Sequence, residues 1–406
     1  MPSIVLSSLD AALDKIDAVL GTPPEQAPRQ LVYILVQVGR LGQLAQEIFQ
    51  IQSIFHGEYD ECVLITPPLS ERVNVEVFRI FTRGMRWVPC ADEEVLHLGW
   101  ADLGSVRRGN RLYALYNPST LYRLMFERLM QGGTFQHVTL TAEDERRGLA
   151  LRRAFGIPAE ARIVTLHVRE AGYLPHARYH AFRDADIATY IPAMEFLIRR
   201  GFYVVRLGDP TMQRLVSSHP QLIDAPFHPA YEPFVDPYFL WCSDFLLGTL
   251  SGPWSVARAF NKPILAVNSP VQAVVLAGPQ DLFVYKKYFS HSLGRLLTYR
   301  EVLLSPLVDF SRHEEFTRYG VQLVPNTPEE ILRSTAEMVE HLAGTYKPTP
   351  AIYAKLREDE HLAHLVRSRG ELPFPYFGPA VCQARVSEEY VRCNPFLLGH
   401  QAQALL

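Results

Sequence analysis

The sequence predicts an α/β protein made of two parallel-sheet domains. Three observations point there. The chain has 406 residues, more than one hydrophobic core usually holds, so two domains are expected. Apolar runs of strand length alternate with segments of helical period, as parallel crossovers require. Near residues 31–42, a strand, a glycine turn and a helix follow in the order that opens a Rossmann-like half.

Taken in order, Leu6 to Leu20 carries apolar residues at helical spacing, and Gly21-Thr22-Pro23-Pro24 stops it. This reads as an appended helix and linker, residues 1–27. Leu31 to Val38 is a continuous apolar run, as suits a strand covered on both faces. It stops at Gly39, and Gly39-Arg40-Leu41-Gly42 leads into a helical pattern from Gln43 to Ser53; Cys62 to Thr66 is the next strand. Thr141-Ala142-Glu143-Asp144 has the form of a helix cap ahead of an amphipathic run to Phe155. The domain boundary is placed near there, giving an N-terminal domain of 28–150.

The second domain, 151–345, alternates more cleanly. Strands are expected at Ile163 to Val168, Tyr203 to Leu207, Phe245 to Gly248 and Ile264 to Val267, with helices at Ile187 to Arg200 and Gly252 to Phe260. Asn326-Thr327-Pro328-Glu329-Glu330 joins a Thr cap, a first-turn proline and acids that complement the helix dipole, so a helix should run to about Leu342. The aromatic, proline-rich segment 346–406 shows no strong period and is expected to pack back across the N-terminal domain.

Composition excludes several classes. With 48% hydrophobic and 20% charged residues the chain is not a disordered protein. A net charge of −3 argues against a general nucleic-acid binder. Five scattered cysteines without CxxC spacing suggest neither a disulfide framework nor a zinc site. No run approaches a membrane span and no leader pattern opens the chain, so a cytoplasmic protein is expected, with peripheral association at the inner face of the membrane still open.

The chemistry concentrates at predicted strand ends. His167-Val168-Arg169-Glu170 follows a buried strand, where loops and helix N-termini with unpaired backbone donors favour anions. Arg169 offers a planar fork that fits a phosphate; the alternative is an ion pair with Glu170 or an acid of the following loop. His167 either supports Arg169 or touches the ligand. Glu170 is a candidate general base, or else the partner of Arg169.

Arg206, with Gly208 and Asp209, repeats the strand-end pattern and would help to neutralise a diphosphate, or would instead support the fold. Gly248-Thr249-Leu250-Ser251-Gly252-Pro253 links a strand to a helix through small hydroxyl residues and glycines that let amides approach an anion. Thr249, Ser251 and Gly252 are therefore candidate donor-binding residues, and Asn268 adds a polar group at the next strand end. Gly39, Arg40, Gly42, Tyr173 and Arg183 are candidates for the acceptor side. The loop from Tyr173 to Asp186 is dense in ionisable groups. Asp184-Ala185-Asp186 has the letters of a metal-binding pair, but Asp186 is needed as a helix cap, so no metal is expected. The phosphate fingerprint G-x-G-x-x-G and the Walker-A motif are absent.

The blocks Val38-Gly39-Arg40-Leu41-Gly42, His167-Val168-Arg169-Glu170-Ala171-Gly172-Tyr173, Arg183-Asp184-Ala185-Asp186-Ile187 with Tyr190, Arg206-Leu207-Gly208-Asp209 and Gly248-Thr249 with Ser251-Gly252 span roughly residues 30 to 270. Together they resemble bacterial glycosyltransferases of two-domain GT-B architecture found with surface-carbohydrate genes. The His-x-Arg element is also similar to that of nodulation and protein O-fucosylation fucosyltransferases, whose arginine grips the donor diphosphate. That likeness implies a donor role for Arg169 and His167; the arginine that directly follows in many of those enzymes is Glu170 here.

The resemblance implies two Rossmann-like domains facing across a cleft, and transfer of a hexosyl or deoxyhexosyl group from a nucleotide sugar to a hydroxyl of a glycan, lipid-linked or protein acceptor. It implies no cofactor beyond the nucleotide-sugar co-substrate, no metal and no nucleic-acid partner. Two other classes stay open: a sugar-nucleotide epimerase or hydrolase of the same fold, and a non-catalytic carbohydrate-binding protein.

Overall fold

The computed structural model describes residues 8–170, 172, 178–215, 219–371 and 374–399. The chain divides into two compact units, 1–139 and 140–406. Each is α/β, with a sheet that is wholly or mainly parallel.

The N-terminal unit is built on five strands: β1 (Gln30–Ile34), β2 (Glu61–Thr66), β3 (Arg86–Pro89), β4 (Gly104–Arg108) and β5 (Arg111–Leu115). Their order is β3-β2-β1-β5-β4, with β4 antiparallel to β5 and the other pairs parallel. All five residues of β1 are buried, as its apolar run predicts. The strand is shorter than the run, because after Ile34 the chain bends through a turn closed by Arg40 N–H on the Gln37 carbonyl (3.1 Å).

The first helix, Leu9–Leu20, is more than an appendage. Its Ala12, Leu13, Ile16 and Leu20 pack with Val32, Ile34, Val63 and Ile65 into one cluster, so it covers a full face of the sheet. Gly21 ends it in a left-handed conformation (φ 72°), donating to the Asp17 carbonyl. Asp17 also accepts from the fully buried Arg111 guanidinium (2.6 Å), which in turn bonds Gln30 (2.6 Å). Helix and strand ends are thereby tied through a charge that would be costly to bury alone.

The C-terminal unit carries seven parallel strands: β6 (Ile163–His167), β7 (Tyr203–Arg206), β8 (Leu222–Asp224), β9 (Phe245–Gly248), β10 (Ile264–Ser269), β11 (Leu282–Tyr285) and, after a small antiparallel sheet of β12 (Lys287–Ser290), β13 (Arg295–Leu296) and β14 (Val321–Val324), β15 (Arg385–Val386). The order is β15-β11-β10-β9-β6-β7-β8. The chain therefore starts in the middle, winds outward through β7 and β8, and returns to wind the other way from β9.

The Thr141–Asp144 capping box forms and opens the helix Ala142–Ala154, but this helix begins the second unit. The boundary lies at 139/140 rather than near 150. Gly148 of that helix packs so closely on the Tyr238 ring that a Cβ would fall 1.8 Å from it. Thr327 caps the helix Pro328–Leu342 as its sequence indicates. The predicted helix Ile187 to Arg200 divides into a 3-10 turn, Ile187–Tyr190, and the α-helix Ile191–Arg199.

Segment 346–406 corrects the expectation made for it. Its described residues join the C-terminal unit: β15 extends the large sheet beside β11, and Gly378 donates to the Ala273 carbonyl at 2.8 Å. A side chain at 378 would meet the Val275 carbonyl oxygen at 2.0 Å, so only glycine permits this approach. All five cysteines are free thiols. Among the described residues no helix is long and apolar enough to cross a membrane.

Candidate functional site

Winding outward from a central start leaves a gap at the carboxyl ends of β6 and β9, because the connections after them leave in opposite directions. Ligands of open parallel sheets bind at such reversals. Here His167 is paired with Gly248, and Thr249 N–H donates to the His167 carbonyl at 3.1 Å. Arg169 N–H donates to Thr249 Oγ1 at 3.0 Å, and Ser251 Oγ lies 2.8 Å from His167 Nδ1. Five sequence-predicted residues, His167, Arg169, Thr249, Ser251 and Gly252, are brought together. Gly248 makes this junction possible, since a Cβ there would stand 2.2 Å from the His167 carbonyl oxygen.

Gly252 opens the helix Gly252–Ala259. Its N-cap, Ser251, turns its hydroxyl to His167 and to the Thr249 carbonyl (3.2 Å), and makes no side-chain cap bond to the helix amides. The positive end of the helix dipole faces this edge.

Burial first, then the charges of Arg206 and Arg169, lower the His167 pKa to about 4. The imidazole is therefore neutral near pH 7. The Ser251 hydroxyl has one proton for His167 Nδ1 and the Thr249 carbonyl; in the arrangement where it donates to the carbonyl, the ring proton sits on Nδ1 and Nε2 accepts.

Arg169 is 14% exposed and pairs with Asp184, also donating to the His180 carbonyl at 3.3 Å. Burial lowers its pKa. The loop-acid alternative is thus realised in part, and the pair holds the 3-10 turn Arg178–Arg183 against the strand end. Beside it stands a cation that strand-end reasoning missed. Lys286, following β11, is buried and donates to the carbonyls of Phe182 (3.0 Å) and Asp184 (2.7 Å). Burial, then repulsion from Arg169, brings its pKa down to about 8. It has no ion pair among the described residues. Two cations against one carboxylate leave this corner with excess positive charge. The sequence signal was Lys286-Lys287 placed directly after a wholly buried apolar strand.

Five other residues singled out in the sequence are engaged by the fold itself. Arg206 is fully buried and bonded to Glu170 (2.7 Å), Asp224 (3.1 Å) and the Gln213 carbonyl (2.6 Å), so its charge is balanced by two carboxylates within the sheet edge, with Nε left without a partner. The second oxygen of Glu170 accepts from Gln213 N–H at 2.7 Å, so both oxygens are engaged and the carboxylate braces the strand end. Asn268 and Asn326 each bond the other's backbone N–H at 2.7 Å, and the Asn268 amide also donates to Tyr190, which commits it entirely to the interior. Asp209 closes a turn onto Thr211 N–H (2.9 Å), while Gly208 takes a φ of 149° beside Met212, where a Cβ would collide with the sulfur.

Just beyond Gly208, the Tyr231 hydroxyl bridges its carbonyl (3.2 Å) and Asp236 (3.3 Å). Asp236 is buried, its other oxygen has no hydrogen-bond partner, and burial raises its pKa to about 7, with Asp209 adding to the rise. No sequence motif marks it.

On the proposed acceptor side, Tyr173 lies outside the described residues. Arg183 belongs to the C-terminal unit, with its guanidinium over the Phe182 ring at 5.6 Å. Gly39, Arg40 and Gly42 lie in the N-terminal unit, where β1 ends and the helix Leu41–Ile54 starts, at the reversal between β2 and β5. A Cβ at Gly39 would make an ordinary 3.8 Å contact, so close approach does not require glycine there. Asp186 caps the turn after it, accepting from Ala188 N–H at 2.9 Å. No group of three or more metal-ligating side chains occurs among the described residues.

No protein-family model matches the chain, and no curated protein does. Among solved structures it is similar to a family 9 glycosyl transferase from Veillonella parvula (12% identity, 64% of this chain and 86% of that one, TM-score 0.40). It is also similar to E. coli ADP-heptose LPS heptosyltransferase II (12%, 64% and 90%, 0.32) and to the dodecameric iron-containing heptosyltransferase TibC in complex with ADP-D-β-D-heptose (12%, 78% and 76%, 0.39).

Proposed function

We propose that the chain is a glycosyltransferase of GT-B type that moves a sugar from a nucleotide-sugar donor to a hydroxyl acceptor. The observation that carries the reading is the convergence of Arg169, Lys286 and the start of the helix Gly252–Ala259 on the carboxyl edge of one parallel sheet, at its reversal point. In transfer, the bond from the anomeric carbon to the phosphate oxygen breaks, and its electron pair leaves with the nucleotide diphosphate. The acceptor oxygen bonds the carbon and passes its proton to water or to the departing phosphate. Negative charge grows on the departing phosphate, and preplaced donors at that point lower the barrier.

Arg169 and Lys286 supply the positive charge, and the amides from Leu250 to Gly252 supply backbone donors, that of Thr249 being held by the His167 carbonyl. Neutral His167 offers Nε2 as an acceptor to a donor hydroxyl. In this reading the nucleotide sugar is the only co-substrate and the cations replace a metal ion. Gly39 to Gly42 of the N-terminal unit serve the acceptor, a surface glycan or glycoconjugate precursor.

A thermal-shift panel of UDP, GDP, ADP, CMP and dTDP sugars tests the reading. One nucleotide class should raise the melting temperature, and with acceptor present the free nucleotide should accumulate. Consumption of the donor at full rate without any acceptor would assign the chain instead to a hydrolase or epimerase, and no response to any nucleotide would leave a non-catalytic binding protein.

A further inference from the structure

The C-terminal unit carries a cavity of about 550 Å³, at the amino edge of the large sheet and so at the end opposite to Arg169. Arg385, the first residue of β15, pairs with Leu282, the first of β11, and its side chain lines this cavity. His341 comes from the last turn of the helix Pro328–Leu342; Tyr353, Arg357, Glu360 and His361 come from the helix Pro350–Ser368.

The charges are unbalanced. Glu360 is buried and already accepts from Arg357 (2.6 Å) and the Tyr299 hydroxyl (3.1 Å). Arg357 also bonds the Tyr353 hydroxyl (3.1 Å) and the Pro379 carbonyl (3.2 Å). The only carboxylate of the lining is thus spent on one guanidinium. Arg385, half-buried, bonds the ring nitrogen Nε2 of His341 at 2.8 Å; the nearby Glu337 carboxylate feels its charge but spends its oxygens on the Ser387 hydroxyl and the Glu388 and Glu389 amides, and forms no ion pair with it. Burial and the Arg385 charge keep the His341 pKa below its usual value, so the imidazole accepts from the guanidinium without neutralising it. A guanidinium withdrawn from water beside a neutral acceptor is an expensive arrangement unless an anion completes it.

We infer that this cavity is a binding site for a small phosphorylated molecule, whose phosphate bridges the free edge of the Arg385 fork and the exposed His361, with Tyr353 and Arg357 as the wall for its organic part. The planar fork matches two phosphate oxygens at once. The volume is within the range of small-ligand sites. This inference stands apart from the proposed transfer reaction, since it uses none of the residues at the other edge of the sheet.

Isothermal titration of the full chain with ribose 5-phosphate, and with inorganic phosphate as the bare group, tests it. Saturable binding is expected for both, tighter for the monoester. R385Q should weaken it about tenfold or more, as loss of a charge-assisted pair does. Q383E, an isosteric change at the exposed rim that offers Arg385 a carboxylate, should weaken it about fivefold without threatening the fold. R169A should leave it unchanged. The proposal is overturned by no saturable heat, by binding that both R385Q and Q383E leave intact, by equal binding of acetate, or by loss of the signal in R169A.

Discussion

The Arg206 guanidinium, with no exposed surface, meets the Glu170 carboxylate at 2.7 Å, and this contact ties a candidate phosphate-binding arginine and a candidate base into the frame of the sheet edge. Asp224 completes the triad from β8. Removing Arg206 would strand two carboxylates inside the sheet edge. R206A is therefore expected to lose about 3–5 kcal/mol of stability, the scale for breaking a buried pair, measured by urea unfolding.

E170Q separates anchor from base. As an anchor, Glu170→Gln lowers stability by about 1–3 kcal/mol through a weakened charged bond, while turnover per folded molecule stays within a few-fold of wild type. A base would show the reverse: unchanged stability and turnover reduced by about a hundredfold or more.

His167 and Asp236 tilt stability with pH in opposite directions. The folded pKa of His167, about 4, lies below the usual 6.5, so the unfolded chain takes up the proton first, and this contribution is lost as pH falls from about 6.5 towards 4. The folded pKa of Asp236, about 7, lies above 3.8, so its contribution is present at low pH and is lost as pH rises towards 7. Between pH 4 and 6.5 the stability difference between wild type and H167Q should grow with pH, and that between wild type and D236N should shrink. Thermal melts across this window check both slopes.

Strand-end charge was legible where the chemistry is local. His167, Arg169 and Thr249 to Gly252 stand out because apolar runs break into polar residues there, and the fold brings those two breaks together. The same local pattern misled at Arg206 and Asn268, whose partners Asp224 and Asn326 lie 18 and 58 residues away in sequence. Nothing near them in the chain announces that they are already satisfied. Lys286 was hidden for the same reason, its acceptors being carbonyls more than a hundred residues earlier. The tail was misplaced because β15 has only two residues, too few for a period to show.

Lys286 gives donor binding a pH signature. With its pKa brought to about 8, the free protein loses this charge as the solution becomes alkaline. Affinity for a nucleoside diphosphate should fall between pH about 7 and 9 in wild type. K286M should bind about tenfold more weakly at pH 7, the scale of one charged hydrogen bond, and show no such fall.

Gly248 sets the spacing of the site. A methyl group at this position would overlap the His167 carbonyl oxygen, so β9 must move away from β6. G248A is expected to cost about 1–3 kcal/mol by overpacking and to weaken nucleotide binding, because Thr249 can no longer hold Arg169 N–H. A solved structure of the variant, or amide exchange at Arg169, reports the displacement.

Arg169 and Lys286 are proposed to hold a diphosphate at the reversal point of the C-terminal sheet. The most direct measurement of this is isothermal titration of wild type, R169A and K286M with UDP, GDP and ADP at low salt, with folding verified for each protein. One nucleotide is expected to bind wild type, and each substitution to weaken that binding about tenfold or more. Unaltered affinity in both variants, or no binding of any diphosphate to the wild-type chain, would contradict it.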